Sequence, residues 1–242
     1  MSPARGRALI FAVIALVGAV IAAASFTSRE PVPLPPRAAA ERPRLLLLTS
    51  LPLLFSEDFS LSGGGSAALT RLQTRYNVVP ISVTEPRELA KGRLLLMAHP
   101  LAQPAEDLVA LNDWVRRGGR VLLLADPMLE WPSRRPLGDP LRPPPMFMDT
   151  GLLSHWGLSL DAPNERRPAM RNLGGFHIMT MSPGSLSGTC SISNDRLVAH
   201  CRVGKGEATI VADADFLNSD RLGSRASHNL DGLLAELASL ER

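Results

Sequence analysis

Three continuous apolar runs of strand length constrain the fold of this chain more than any other feature. They lie at residues 45–49, 93–98 and 120–125, and helical patterns at 67–76 and 104–117 alternate with them. Strands that are apolar on both faces and alternate with helices belong to parallel sheets that helices cover on both sides. Because crossovers between parallel strands are right-handed, the sequence predicts an α/β fold with a doubly wound, mostly parallel sheet.

Weaker patterns extend this arrangement towards the C-terminus. They predict strands at 78–83, 176–180 and 207–212, a short helix at 152–156, a C-terminal β-hairpin formed by 189–193 and 197–203, and a closing amphipathic helix at 227–240. Residues 126–148 are different, because they contain seven prolines and show no periodicity. A loop of this length in a compact domain is typically a lid, a binding loop or a partner surface.

The N-terminal segment predicts a membrane anchor. Arg5 and Arg7 precede an uncharged, mostly apolar run at residues 8–25. At 1.5 Å per residue a helix over this run is about 27 Å long, just enough to cross the hydrocarbon core. The upstream arginines predict that residues 1–7 are cytoplasmic and that the main domain, 44–242, lies outside the cytoplasm.

Two alternatives to the transmembrane helix stay open. Ala22 and Ala24 form an A-x-A-like site before Ser25, so a cleaved signal peptide is compatible with the sequence. A buried helix is the other alternative. Residues 26–43 contain five prolines, which favours an extended polyproline II linker and predicts a stiff spacer between anchor and domain.

Composition argues against nucleic-acid binding and against a metal scaffold. The chain has 26 basic and 23 acidic residues, and Arg5 and Arg7 account for most of the excess. Only 5% of the residues are aromatic, too few for a base-stacking platform. Lys91 and Lys205 are the only lysines, so a catalytic lysine has two candidates. With two cysteines, no metal site and no cofactor are predicted.

Cys190 and Cys201 lie on the two strands of the predicted hairpin. In an oxidising compartment such a pair forms a disulfide if the register brings the residues together. A two-residue turn at Asn194-Asp195 places Cys190 opposite Ala199, whereas a turn centred one residue later places the two cysteines face to face. A disulfide and two buried thiols are both compatible with the sequence.

Polar side chains follow several of the predicted strands. His99 follows residues 93–98, Asp126 follows 120–125, and Asp213 and Asp215 follow 207–212. Ligands of open parallel sheets bind beyond the carboxyl ends of the strands, so these four residues are candidates for ligand binding. Asn229, at the start of the last helix, is a fifth. The alternative is that these side chains cap helices and hold turns.

Several motifs, in their order along the chain, carry a family resemblance. These are His99-Pro100, LVALNDWVRRGGRVLLLADP at 108–127, LLSHWGLSLD at 152–161, GKGEATIVADADFLNS at 204–219 and HNLDGLLAEL at 228–237. Together they resemble the auxiliary domains of uncharacterised ABC-type transport systems, including the gliding-motility-associated ones. The resemblance implies a fold similar to class I glutamine amidotransferases, which is a flavodoxin-like three-layer sandwich.

The resemblance also implies partner proteins and a cellular location. The partners are the permease and ATP-binding subunits of an ABC transporter, and the location is the bacterial inner membrane with the main domain in the periplasm. Amidotransferase chemistry needs a cysteine after a central strand. Here His99-Pro100 and Asp126-Pro127 occupy those positions, so a non-catalytic accessory role is expected, in which the domain binds a partner subunit or a solute. The rival functions are an extracytoplasmic amidotransferase-like or hydrolase enzyme using His99 and the strand-end carboxylates, and a structural tether in an envelope assembly.

Overall fold

The computed structural model describes residues 31–55 and 65–242. The predicted anchor at 8–25 and the first part of the linker lie outside these residues. Within the described ranges, no helix combines the length and the apolar character that a membrane crossing requires. A compact unit begins at Pro33 and runs to the end of the chain.

This unit contains eleven strands and six α-helices among its described residues. The strands are β1 (Arg44–Thr49), β2 (Asn77–Pro80), β3 (Leu94–Ala98), β4 (Arg120–Leu124), β5 (Leu158–Asp161), β6 (Pro168–Leu173), β7 (Phe176–Met181), β8 (Ser185–Gly188), β9 (Ser191–Ile192), β10 (Val198–Val203) and β11 (Gly206–Val211). The helices are α1 (Ala67–Gln73), α2 (Pro86–Leu89), α3 (Ala105–Arg116), α4 (Leu152–His155), α5 (Ser219–Leu222) and α6 (Asn229–Leu240).

Seven of the strands form one mixed sheet in the order β2-β1-β3-β4-β11-β10-β9. The first five of these pair in parallel, and β10 and β9 add antiparallel at one side. The order 2-1-3-4 followed by a fifth parallel strand is that of flavodoxin-like sheets. Two small antiparallel sheets, β5 with β8 and β6 with β7, lie outside the main sheet.

The apolar runs bury both faces of the central strands. In β1, Leu46 and Leu47 point to opposite faces and both are fully buried. The core on the Leu47 side includes residues of α1 and α6, and the core on the Leu46 side includes residues of α2, α3 and α4. Two apolar cores therefore enclose the sheet, which explains why its central strands carry no alternating pattern.

The second half of the predicted linker packs on the domain. The Arg37 backbone N–H donates to Thr74 O at 2.9 Å, and the Arg37 guanidinium contacts the Glu241 carboxylate at 2.7 Å. Arg75 donates to Pro35 O, and Leu34 packs against the core. Residues 34–43 of the predicted linker therefore pack on the domain.

Element boundaries differ from the sequence prediction by a few residues. The strand predicted at 78–83 ends at Pro80, although the Ile81 N–H still donates to Leu47 O at 2.9 Å. The last helix begins at Asn229, two residues after the predicted start. The weak strand signal at 176–180 corresponds to β7, whose partner β6 has no alternating apolar pattern to announce it.

Candidate functional site

The polar residues that follow the parallel strands meet at one edge of the sheet, here called the carboxyl edge. His99 directly follows β3, whereas one residue separates Asp126 from β4 and Asp213 from β11. All three side chains are fully buried. Asp215 is 2% exposed. The sequence-predicted candidates are therefore brought together, but beneath the surface rather than around an open rim.

Asp126 uses both carboxylate oxygens to hold backbone N–H groups. Oδ1 accepts from Met128 N at 2.8 Å. Oδ2 accepts from Ala214 N at 2.9 Å and from Asp215 N at 3.3 Å. Burial raises the pKa of Asp126 to about 6, against the lowering effect of these N–H groups. Asp126 thereby joins the end of β4 to the segment that follows β11.

Asp213 and Asp215 extend this buried cluster. Asp213 Oδ1 accepts from Thr180 Oγ1 at 2.5 Å and from Phe216 N at 3.1 Å. Its Oδ2 is buried without a hydrogen-bond partner among the described residues. Burial, together with the nearby Asp126 and Asp215 carboxyls, raises the pKa of Asp213 well above its ordinary value. These groups favour the protonated, uncharged form of Asp213.

Glu130 and Ser182 complete the cluster, and sequence analysis missed both. The Glu130 N–H donates to Asp215 Oδ2 at 2.7 Å, and Ser182 Oγ donates to Glu130 Oε1 at 2.5 Å. Burial raises the pKa of Asp215 to about 7. Ser182 has a φ of 46°, a backbone conformation that is uncommon without glycine. Neither Glu130 nor Ser182 lies in a periodic segment, so no sequence pattern predicted a role for them.

His99 is held against the proline-rich loop, residues 126–148. Its Nε2 lies 2.9 Å from Pro144 O, and its Nδ1 is buried with no partner in the described part of the chain. Burial lowers the pKa of His99 to about 4, so the imidazole is neutral at physiological pH. Its φ of 48° is a left-handed conformation. His99 thus serves as a fixed contact between β3 and the loop.

Asn229 has a structural set of hydrogen bonds. Its Oδ1 accepts from Met179 N at 2.8 Å, and its Nδ2 donates to Met179 O at 2.7 Å and to Phe216 O at 2.8 Å. The side chain therefore fastens the start of α6 to β7 and to the 3₁₀ turn after β11. With its oxygen and both amide hydrogens engaged by backbone, Asn229 has no donor left for a ligand.

Cys190 and Cys201 form a disulfide. The register pairs Ile192 with Ala199 and Ser191 with His200, which continues to place the two cysteines opposite each other. This is the later of the two turn positions that the sequence allowed. The bridge fastens β9 to β10 at the outer side of the sheet, away from the carboxyl edge.

The proline-rich loop covers the carboxyl edge. Its two arms are joined by Phe147 N to Asp126 O at 2.6 Å and by Leu129 N to Pro145 O at 2.9 Å. Its outer part presents apolar side chains to solvent: Leu137, Leu141, Met146 and Met148. The loop is therefore fixed at its base and apolar at its surface.

An open cleft lies at the opposite end of the strands, here called the amino edge. A cavity of about 510 Å³ is lined by three arginines, Arg44, Arg93 and Arg120. Sequence analysis missed this feature, although each of the three apolar runs that predicted the sheet starts with or follows an arginine. In the described ranges, no group of three or more His, Cys, Asp or Glu side chains is arranged to hold a metal.

Comparison with known proteins shows likeness in fold only. No protein-family model and no curated protein matches the chain. The mmIFT52 N-terminal domain superposes with a TM-score of 0.53 at 11% identity, over 81% of this chain and 97% of that domain. The exo-β-1,4-mannosidase Op5Man5 from Opitutaceae bacterium strain TAV5 superposes with a TM-score of 0.50 at 15% identity, over 81% of this chain and 36% of the mannosidase. This chain thus spans about a third of that enzyme.

Proposed function

We propose that this protein is a membrane-anchored, extracytoplasmic and non-catalytic accessory component of an ABC-type transport system, and that its proline-rich loop binds a partner subunit. The observation that carries the proposal is the state of the carboxyl edge. The position where an open α/β sheet would bind a ligand is filled by side chains whose oxygens accept backbone N–H groups and side-chain hydroxyls. The loop that seals it offers the surface for binding instead.

The loop has the properties of a docking surface. Leu137 is 77% exposed and Leu141 is 57% exposed, and Met146 and Met148 of the same loop are exposed too. Several exposed apolar side chains grouped on one surface are typical of interaction sites. The contacts of Phe147 and Leu129 hold the base of the loop. Because the loop is already ordered, binding through it costs less conformational entropy than binding through a free segment.

The disulfide supports the extracytoplasmic location. Bridges such as Cys190–Cys201 persist in oxidising compartments and are rare in a reducing cytoplasm. The class of partner, the permease and ATP-binding subunits, rests on the resemblance of the motifs at 108–127 and 204–219. The proposal therefore joins one structural argument about the surface with one sequence argument about the partner.

Affinity purification of the full-length protein in mild detergent, with mass spectrometry, tests the proposal. We expect an ATP-binding subunit and a multi-span permease to be recovered in a fixed ratio. The double variant Leu137→Ser/Leu141→Ser should reduce this recovery by about tenfold or more, the range of a lost binding hot spot. Val109→Ser is the matched control, since Val109 is 61% exposed but lies on α3.

Two results would contradict the proposal in different ways. A wild-type protein that purifies alone would rule out the transport-accessory role. Full recovery of the partners with the double leucine variant would show that the loop is not the contact surface. Both variants change exposed side chains, so the midpoint of thermal unfolding should equal that of the wild type.

A further inference from the structure

Three neighbouring strands start at an arginine. Arg44 is the first residue of β1, Arg120 is the first of β4, and Arg93 directly precedes β3. The register pairs Leu45 with Leu94 and Leu94 with Arg120. Arg44 and Arg93 stand one position before this register and Arg120 stands in it, so Arg120 leaves the opposite face of the sheet. Since adjacent strands lie about 4.8 Å apart, the three residues still lie close together at the amino edge.

The arginines line one cleft. Its volume is about 510 Å³, and Pro43, Leu94, Gly118, Leu240 and Glu241 complete its lining. This volume lies within the range of small-molecule sites, about 300–1,000 Å³. Bases continue along the same edge, because the Lys205 N–H donates to Arg116 O at 2.9 Å and so places the β10–β11 turn beside the end of α3.

The positive charge of this arginine cleft is poorly compensated. Arg44 Nη1 donates to Lys91 O at 3.3 Å, a backbone contact. Arg120 Nη1 donates to Leu240 O at 3.1 Å and lies 3.6 Å from the Glu207 carboxylate. Within residues 31–55 and 65–242, Arg93 makes no hydrogen bond or ion pair with its side chain.

Glu241, the acidic residue in the lining, is already engaged. Its Oε1 accepts from Tyr76 Oη at 2.6 Å, and its two oxygens accept from the Arg37 guanidinium at 3.1 and 2.7 Å. This carboxylate is therefore not free to neutralise the arginines. Three like charges with one long ion pair between them, that of Arg120 with Glu207, repel one another, and such an arrangement favours the binding of an anion.

Gly118 gives the Arg93 guanidinium its space. Its φ is 111°, and a Cβ at this position would lie 3.2 Å from Arg93 Nη2. Glycine thus allows the guanidinium to pack over the backbone at the mouth of the cleft.

We propose that the arginine cleft binds a small anion that carries phosphate groups. Guanidinium groups donate two parallel N–H bonds to phosphate oxygens, and a multiply charged phosphate matches several arginines at once. A monocarboxylate brings one charge and compensates the cleft only in part. The site is independent of the proline-rich loop, which lies at the other end of the strands.

Calorimetric titration of the full-length protein in detergent with inorganic pyrophosphate tests this proposal. We expect saturable binding to the wild type that weakens as salt is added. Arg93→Gln and Arg44→Gln should each lower the affinity by about tenfold or more, as lost hydrogen bonds to a charged group do. Arg166→Gln is the control, since it removes the same charge from an exposed position in the segment between β5 and β6.

The source of the phosphate is resolved by competition. Displacement of pyrophosphate by glycerol phosphate assigns the cleft to soluble phosphate esters, and displacement only by phosphatidylglycerol in mixed micelles assigns it to a lipid headgroup. Both outcomes support the phosphate chemistry. Absence of saturable binding, or equal affinity for wild type, Arg93→Gln and Arg44→Gln, would overturn the proposal. Neither result depends on whether transporter subunits co-purify.

Discussion

The two edges of the central sheet differ in charge, in exposure and in what holds them. At the carboxyl edge, acidic side chains are buried and their oxygens accept hydrogen bonds from backbone N–H groups, as those of Asp126 do. At the amino edge, basic side chains surround an open cleft, and the Arg93 side chain makes no hydrogen bond or ion pair with the described residues. The difference shows that a polar side chain at a strand end is a site only where its hydrogen-bonding groups remain free.

This comparison reverses the usual expectation for open α/β sheets. Ligands of such sheets generally bind beyond the carboxyl ends of the strands. Here the proline-rich loop closes that position, and the contact between His99 and Pro144 fixes the loop against β3. The opposite edge has no covering loop of this kind among the described residues, so the open cavity is found there.

The largest effect should come from Asp126→Ala. The variant leaves the buried N–H groups of Ala214 and Asp215 and the part-buried N–H of Met128 without their acceptor. Each buried unsatisfied group costs about 1–3 kcal/mol, so the free energy of unfolding should fall by about 3 kcal/mol or more. Urea denaturation measures this change.

Asp213→Asn is the matched variant for that experiment. A carboxamide has the shape and charge of the protonated carboxyl group, and one oxygen is enough for Thr180 and Phe216. We expect a loss of less than about 1 kcal/mol. Equal losses in the Asp126 and Asp213 variants would contradict the assignment of Asp126 as the main structural acceptor of this edge.

The second effect is a dependence of stability on pH. Burial raises the pKa of Asp215 to about 7 and that of Asp126 to about 6. The stabilisation from a raised carboxyl pKa is complete below the unfolded value near 4 and is lost as pH rises through the folded value. The free energy of unfolding should therefore fall between about pH 4 and pH 7, by about 1.4 kcal/mol per unit of raised pKa.

His99 acts in the opposite direction, so a variant is needed to separate the two. Its pKa is lowered to about 4, so its contribution is present above the unfolded value near 6.5 and is lost as pH falls towards 4. Because Asp215→Asn retains His99, the difference between wild type and variant isolates the carboxyl contribution. A pH profile of unfolding that is identical in the two proteins would contradict the carboxyl assignment.

The smallest effect should come from the amino edge. Arg93→Gln removes an exposed charge that makes no hydrogen bond or ion pair with the described residues. The free energy of unfolding should therefore change by less than about 0.5 kcal/mol. The same urea measurement applies. A loss above about 1 kcal/mol would show that Arg93 supports the fold, and the contrast between a structural carboxyl edge and a free amino edge would then fail.

Sequence patterns located the central elements because burial on both faces leaves a direct trace. The runs at 45–49, 93–98 and 120–125 coincide closely with β1, β3 and β4. Together with the strand predicted at 207–212, they led to His99, Asp126 and Asp213 as candidates at one edge of the sheet. The patterns did not reveal whether this edge is open or closed. That outcome depends on hydrogen bonds from Glu130 and Ser182, which come from irregular segments without periodicity.

The arginine cleft is the reverse case. Its three arginines stand at regular positions in the sequence, yet the sequence alone does not identify them as a site. Arg44, Arg93 and Arg120 stand at the start of each apolar run, and a parallel sheet necessarily brings such positions together. Whether these arginines can bind an anion depends on how far acidic side chains already neutralise them. Since Glu241 comes from the far end of the chain and is engaged by Tyr76 and Arg37, only the folded structure shows that it is occupied.

The short outer strands of the main sheet have a consequence for association between copies. Unpaired strand edges are templates for another chain, and long flat ones lead to aggregation. On one side β2 ends at Pro80, which offers no N–H to an incoming strand. On the other side β9 contains only Ser191 and Ile192, and the adjacent disulfide fixes it. A protein with such short edge strands resists edge-to-edge aggregation even at high local concentration.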